Sequence, residues 1–389
     1  MRKTQYSRLS AFYFFYFAAL GAFLPYWALY LKSLNFNANE IGELLAIVMV
    51  SKVASPYLFS WISDHIQKRL VIIQASMFVS VVVFAGVIPF QSYWWFAFVM
   101  AAFGFFWNAA LPLYEALTLN HLEHDTSLYS SIRLWGSVGF IVVALVLPLI
   151  IGGSHISLLP LIILALLIAN TVTTFLVDDR TPKSSHQSSQ THIIETLKKP
   201  IVLAFLFACF FQSLSHGAYY TFFTIYLEDH GYSRGFSGAM WALGVLAEVG
   251  LFIVMKRLLT KFSVCHLFAM ALFITAIRWV MLALYVDSIV LLFISQLFHA
   301  ASFGLFHACS IYLAHSLFPG RLQGRGQALY AGVSFGLGGT LGHLLSGYAW
   351  DSQGAIWTFL SSAIIALIGA IIASKYITKE RLSGYANNT

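Results

Sequence analysis

Apolar runs of roughly twenty residues recur along this chain with only short polar breaks between them, and nothing else in it limits folding so severely. A soluble core cannot absorb that much apolar surface. Of 389 residues, 59% are hydrophobic and 10% charged, against about a quarter charged in an ordinary soluble domain. Inside a bilayer every backbone N–H and C=O must be satisfied by the protein, which leaves helices and closed barrels as spanning structures. Barrel strands alternate apolar and polar residues, whereas these runs are apolar all round. The expected fold class is therefore an all-α integral membrane protein, with spans at residues 9–31, 40–62, 70–89, 93–119, 131–151, 157–177, 200–227, 236–258, 264–285, 289–315, 327–349 and 355–376.

The net charge of +7 is ordered along the chain. If the N-terminus is cytoplasmic, cations gather in segments of that side: Arg2, Lys3 and Arg8, then Lys68 and Arg69, Arg180, Lys183, Lys198 and Lys199, Lys256, Arg257 and Lys261, Arg321 and Arg325, and Lys375, Lys379 and Arg381. Lys32 and Arg234 face outward. This positive-inside asymmetry sets both termini in the cytoplasm and accounts for the basic balance with lipid as the partner and no nucleic acid. One loop, 121–130, departs by being slightly acidic. The first apolar run follows basic residues as a signal peptide does, but it is too long and lacks a small-residue cleavage site, so it reads as a retained helix. Cys209, Cys265 and Cys309 form no C-x-x-C pair, and no cofactor or metal is expected.

Internal repetition divides the chain. GAFLPYWALYLKSLNF from Gly21 aligns with GAYYTFFTIYLEDHGY from Gly217 at an offset of 196, which also pairs Gly42 with Gly238 and Gly136 with Gly332. FGFF from Phe103 and FGLF from Phe303 repeat at an offset of 200. Landmarks at nearly constant offset across five helices of each half indicate a duplicated six-helix unit: an N-terminal half at 1–177, a polar cytoplasmic linker at 178–199 and a C-terminal half at 200–389. Two such halves are a recurrent plan for alternating-access transporters. The run at 327–349 is dense in glycine, suiting close helix approach. It contains Gly332-Val333-Ser334-Phe335-Gly336, a G-x-S-x-G string, but the nucleophile elbow needs a strand and a strained turn. An enzyme is not expected.

Ionisable residues inside spans cost about 2.5–3.5 kcal/mol each on insertion scales and are functional candidates by default. They are Lys52, Glu115, Arg133, Glu248 and Arg278, joined by His216, His299, His307 and His343. Glu115 and Arg133 lie near the same ends of neighbouring antiparallel spans, where a guanidinium can grip a carboxylate through two parallel bonds. Gln296, His299, Phe303 and His307, spaced 3, 4 and 4, share a helix face. Gln212, His216, Tyr219 and Phe223 do so on the seventh span, and Trp241 and Glu248 on the eighth. Three cations against two carboxylates favour a monoanionic solute.

SWISDHIQKR, from Ser60 to Arg69, resembles the loop motif of the major facilitator superfamily, G-x-x-x-D-R-x-G-R-K, keeping Asp64, Lys68 and Arg69 as gating residues but not its glycines. FLPYW from Phe23, RLWGSVGF from Arg133, AYY from Ala218, WALGVLAEV from Trp241, Arg278-Trp279 and the Gln296 stripe are similar to the branch that holds lactose permease, the nucleoside/proton symporters and permeases for 3-phenylpropionate. The resemblance implies a monomeric proton symporter of the bacterial inner membrane. It implies sugar-holding positions at Glu115, Arg133 and Phe140 and coupling positions at Arg278 and His299; the candidate substrate site adds Trp27, Asn108, His216, Tyr219, Tyr220 and Trp241, and the candidate coupling set adds Glu248, Gln296 and His307. Ser302 replaces that branch's proton-carrying glutamate, while Gln212, Ser215 and Phe335 replace its buried acid and lysine partners. By elimination Glu248 is the candidate proton carrier, with His299, His307 and Glu115 as rivals, and an aromatic carboxylate is the expected solute, with a sugar or nucleoside as the alternative.

Overall fold

The computed structural model describes residues 3–122, 126–153, 155–179 and 193–387. Residues 180–192 of the expected linker, Arg2, and 123–125 of the acidic loop lie outside them. Among the described residues the chain is helical without strands. Ten continuous apolar helices come first: α1 Gln5–Ser33, α2 Ala38–Ile66, α3 Arg69–Val87, α4 Tyr93–His121, α5 Leu128–Ile150, α6 His155–Thr174, α7 Pro200–Asp229, α8 Arg234–Lys261, α9 Val264–Leu284 and α10 Ile289–Leu317. An eleventh, Gln323–Tyr376, runs for 54 residues. At 1.5 Å per residue that is about 80 Å, far more than one crossing needs. The backbone breaks at Gly354, where φ 80° and ψ 176° are open only to glycine. The break yields α11 (323–353) and α12 (355–376), completing twelve spans.

Local chemistry marks several ends. Asn37 and Glu40 cap α2 reciprocally, each side chain meeting the other's backbone N–H at 2.9 Å. Pro200 stands in the first turn of α7, where its missing N–H costs nothing.

The chain packs as two compact units. One comprises Met1–His186 with Leu227–Ala242, the other Gln187–Tyr226 with Leu243–Thr389. The first unit thus contains α1 to α6 and the hairpin joining α7 to α8. Within it, α1 and α5 cross in near backbone contact: an added Cβ at Gly139 would strike the Phe14 carbonyl, and one at Gly21 would come within 2.8 Å of the Phe140 carbonyl. The second unit repeats this crossing between α7 and α11, with Gly217 against Gly342 and Gly338 2.7 Å from the Phe210 carbonyl by the same measure. Glycine is required at these points because two helix backbones meet there.

Two stretches of the second unit widen into π-helix, Ala300–Leu305 in α10 and Gly332–Gly338 in α11. Such turns shift backbone hydrogen bonds out of register and expose carbonyls to other partners. The Gly332–Gly336 string lies inside one of them. Ser334 is buried there, 2.7 Å from the Ser213 hydroxyl and donating to the Cys209 carbonyl at 3.2 Å, in helical rather than elbow surroundings.

Candidate functional site

In the first unit, α4 and α5 bring Glu115 and Arg133 together. Arg133 Nε stands 3.7 Å from Glu115 Oε1, and each side chain keeps about a third of its surface exposed, 33% and 35%. This is a loose ion pair, not a bidentate fork. The guanidinium lies 4.0 Å above the Phe17 ring and 5.7 Å from that of Tyr13, an aromatic seat that holds a cation without consuming its N–H groups. Gly136, one turn along α5, makes room: a Cβ there would meet both Phe17 and Arg133 Nη1. The Tyr129 hydroxyl bridges Tyr13 and Glu115, and Tyr13 donates to Thr118 Oγ1 at 3.1 Å. Tyr13, Phe17 and Tyr129 were not among the sequence candidates. Their positions on the first and fifth spans gave no periodic signal apart from the surrounding aromatics.

The other first-unit candidates scatter. Trp27 is wholly buried among Phe23, Phe84 and Phe96. Asn108 spends its amide on the Val48 carbonyl and Ser51 Oγ of α2, at 3.1 and 2.8 Å. Phe140 and Trp241 are buried with ring centroids 6.4 Å apart. In the loop motif, Arg69 and Asp64 approach to 3.7 Å, and Lys68 occupies the N-cap of α3.

Lys32 and Arg234, set apart by the charge pattern, both bind the α7–α8 hairpin to the first unit. Lys32 pairs with Asp229 at 2.5 Å. Arg234 donates to Glu228 at 2.7 Å and to the carbonyls of Ile151 and Gly153.

In the second unit, Arg278 of α9 is completely buried and held by four neutral acceptors. Its Nε donates to the Ser295 carbonyl at 2.9 Å, Nη1 to His299 Nδ1 at 3.1 Å and to Ser302 Oγ at 3.0 Å, and Nη2 to Gln296 Oε1 at 3.2 Å. The Tyr219 ring covers the guanidinium at 4.2 Å while its hydroxyl donates to Gln296 at 2.9 Å. The π-helical stretch of α10 contributes here, since the Ser302 carbonyl turns to accept from Gln212 Nε2 at 2.5 Å. The helix-face stripe survives this widening as a stack: His299 on Phe303 at 5.6 Å, and Phe303 on His307 at 6.1 Å. His307 then faces the Tyr330 hydroxyl at 3.0 Å. Glu248 packs on Gly304, where a Cβ would approach its Cγ to 2.9 Å, within electrostatic reach of Tyr220. Trp241 and Glu248, on one face of α8 by spacing, thus fall in different units.

A twelve-span helical fold with arginines in its spans and stacked aromatics is what a solute carrier presents, and residues 6–361 match the model of the MFS_1 like family. The chain belongs to that family. It is 26% identical over 381 residues to a probable 3-phenylpropionic acid transporter of Escherichia coli (strain K12), covering 94% of this chain and 96% of that one. It is 25% identical over 384 residues to the maltose permease of Geobacillus stearothermophilus, covering 96% and 95%. Among solved structures, a point mutant of the nucleoside transporter NupG superposes with a TM-score of 0.86 at 15% identity over 96% of this chain and all of that one. The chain is accordingly a multi-pass membrane protein and a secondary transporter of the major facilitator superfamily, and not an enzyme.

Proposed function

We propose that this chain imports a small aromatic carboxylate, such as 3-phenylpropionate, together with a proton across a bacterial inner membrane, with both termini in the cytoplasm. The observation carrying this reading is the looseness of the Glu115–Arg133 pair: at 3.7 Å and one-third exposed, the guanidinium has N–H groups to offer an incoming carboxylate. Arg suits that task because its planar fork matches a carboxylate bidentately. Phe17, Tyr13 and Tyr16 supply an apolar, aromatic surround on the same unit, which is what an aryl ring needs. The 26% identical relative is described as a probable transporter of such an acid, which supports the reading.

Proton coupling is assigned to the second unit. Glu248 is the proposed carrier, beside Tyr220 and the π-helical stretch of α10, with His299 and His307 as rivals. Glu248→Gln fixes the group in its neutral form. Uphill accumulation driven by a pH gradient then disappears while exchange of solute across the membrane continues. A Glu248→Gln protein that concentrates solute as wild type does removes Glu248 from this role.

A second reading, a hydroxyl-rich solute, is favoured by the maltose permease relative. Uptake of labelled 3-phenylpropionate, maltose and a nucleoside into proteoliposomes with an imposed inward proton gradient separates the two. Uptake of the aryl acid alone supports the first; uptake of maltose or nucleoside without the aryl acid overturns it.

A further inference from the structure

Two acceptor atoms in the polar core of the second unit have no hydrogen-bond partner among the described residues: Gln212 Oε1 and His216 Nε2. They sit four residues apart on α7, on one face and one turn from each other. Their chemistry is fixed by what the rest of each side chain does. Gln212 Nε2 lies 2.9 Å from Thr275 Oγ1 and 2.5 Å from the Ser302 carbonyl. A carbonyl only accepts, so this end of the amide is the donor and Oε1 is left as acceptor. His216 Nδ1 stands 2.8 Å from the Gln212 carbonyl. Nδ1 must therefore carry the proton, and in the neutral ring Nε2 is a bare lone pair.

Both residues are buried, at 1% and 4% exposure, where an unmade hydrogen bond costs about 1–3 kcal/mol. Arg278 does not satisfy them, since four of its five N–H groups go to Ser295, His299, Ser302 and Gln296 and none of its hydrogen bonds reaches either atom. That guanidinium also makes the neighbourhood hostile to a second cation. What fits two acceptors beside a fixed positive charge is a neutral donor. The flanking rings favour a group on a flat apolar body: Trp279 meets the His216 ring edge-on at 4.9 Å, and the partly exposed Tyr220 lies 5.6 Å from it.

We infer that Gln212 Oε1 and His216 Nε2 form a neutral acceptor pair that receives an O–H or N–H donor of a transported solute, so that the second unit selects solutes bearing a hydroxyl or comparable uncharged donor. This rests on the chain being a solute transporter and stands apart from the aryl-carboxylate reading.

The test is binding of matched pairs to the purified full-length transporter: phenol against anisole, and ring-hydroxylated 3-phenylpropionate against its O-methyl ether. Each ether is the more apolar member, so hydrophobicity alone favours it. The inference expects the hydroxyl member of a pair to bind at least about tenfold more tightly to wild type. That preference is lost in His216→Phe, which keeps a flat ring, and partly restored in His216→Asn, which keeps an acceptor. Equal binding within both pairs, or no binding of either, overturns the inference and leaves water as the group that satisfies these atoms. Persistence of the preference in His216→Phe overturns it as well. The wild-type comparison decides the matter even if His216→Phe fails to fold. If both aryl acids fail to bind while phenol outcompetes anisole, the carboxylate reading falls and this one stands.

Discussion

The two units solve the cost of a membrane-embedded cation in opposite ways. In the first, Arg133 faces Glu115 across 3.7 Å and stays one-third exposed. In the second, Arg278 is sealed from solvent and held by a carbonyl, an imidazole, a hydroxyl and an amide. A cation fixed by several short bonds to neutral groups is a rigid part of the fold, whereas one leaning on a single loose carboxylate is free to change partners. The π-helical stretches follow the same division: among the described residues both lie in the second unit, one turning the Ser302 carbonyl to Gln212 and the other seating Ser334 against Ser213 and the Cys209 carbonyl. The two units thus hold their membrane-embedded arginines differently, one in a loose, part-exposed ion pair and one in a sealed polar cluster.

The largest effect expected from breaking this contrast is at the sealed cation. Arg278→Ala takes the side-chain donor from the Ser295 carbonyl and His299 Nδ1, leaves Gln296 Oε1 with Tyr219 alone, and should destabilise the protein by about 3–5 kcal/mol. Thermal unfolding of the purified variant checks this, and a wild-type midpoint would show that the cluster is not a structural anchor. Gly217→Ala should follow at about 1–3 kcal/mol, since the added Cβ meets the Gly342 backbone, which cannot move aside as a side chain would. Arg133→Lys should leave stability near wild type but weaken binding of a monocarboxylate about tenfold, because an ammonium cannot form the two-pronged contact; the same titration on both proteins reads it. The smallest change is expected for Lys32→Gln. Its partner Asp229 and Lys32 itself are nearly half exposed, at 48% and 44%, so solvent screens the pair to a few tenths of a kcal/mol. A loss beyond about 1 kcal/mol in denaturation would mean that the hairpin depends on it.

Hydropathy alone located the spans, because length and apolarity are what a bilayer demands; even the Gly354 break falls between the expected runs at 327–349 and 355–376. Of the glycine landmarks of the repeat, Gly21 and Gly217 sit at the α1–α5 and α7–α11 crossings, whereas Gly332 has open space beside it. What the sequence could not show is where regular geometry ends. The widening at Ala300–Leu305 depends on tertiary partners for the freed Ser302 carbonyl, which periodicity does not register. Nor did spacing reveal that the α7–α8 hairpin packs with the first unit, since that follows from Arg234 reaching the Ile151 and Gly153 carbonyls far away in the chain. Among the candidate residues, Glu115 and Arg133 come together as their places on neighbouring spans suggested, and Arg278 meets Gln296 and His299, a grouping that the resemblance and not spacing implied. Asn108 spends its amide on α2, because a buried amide takes whichever backbone carbonyl is near.

The most direct test of the proposed carboxylate exchange at Arg133 is the sign of two substitutions on 3-phenylpropionate affinity, measured by calorimetry on the purified transporter. If Glu115 competes with the solute carboxylate for Arg133, Glu115→Gln retains or tightens binding while Arg133→Lys weakens it. Loss of binding in Glu115→Gln to the same degree as in Arg133→Lys would contradict the account, because it would make the carboxylate a ligand of the solute instead of its rival.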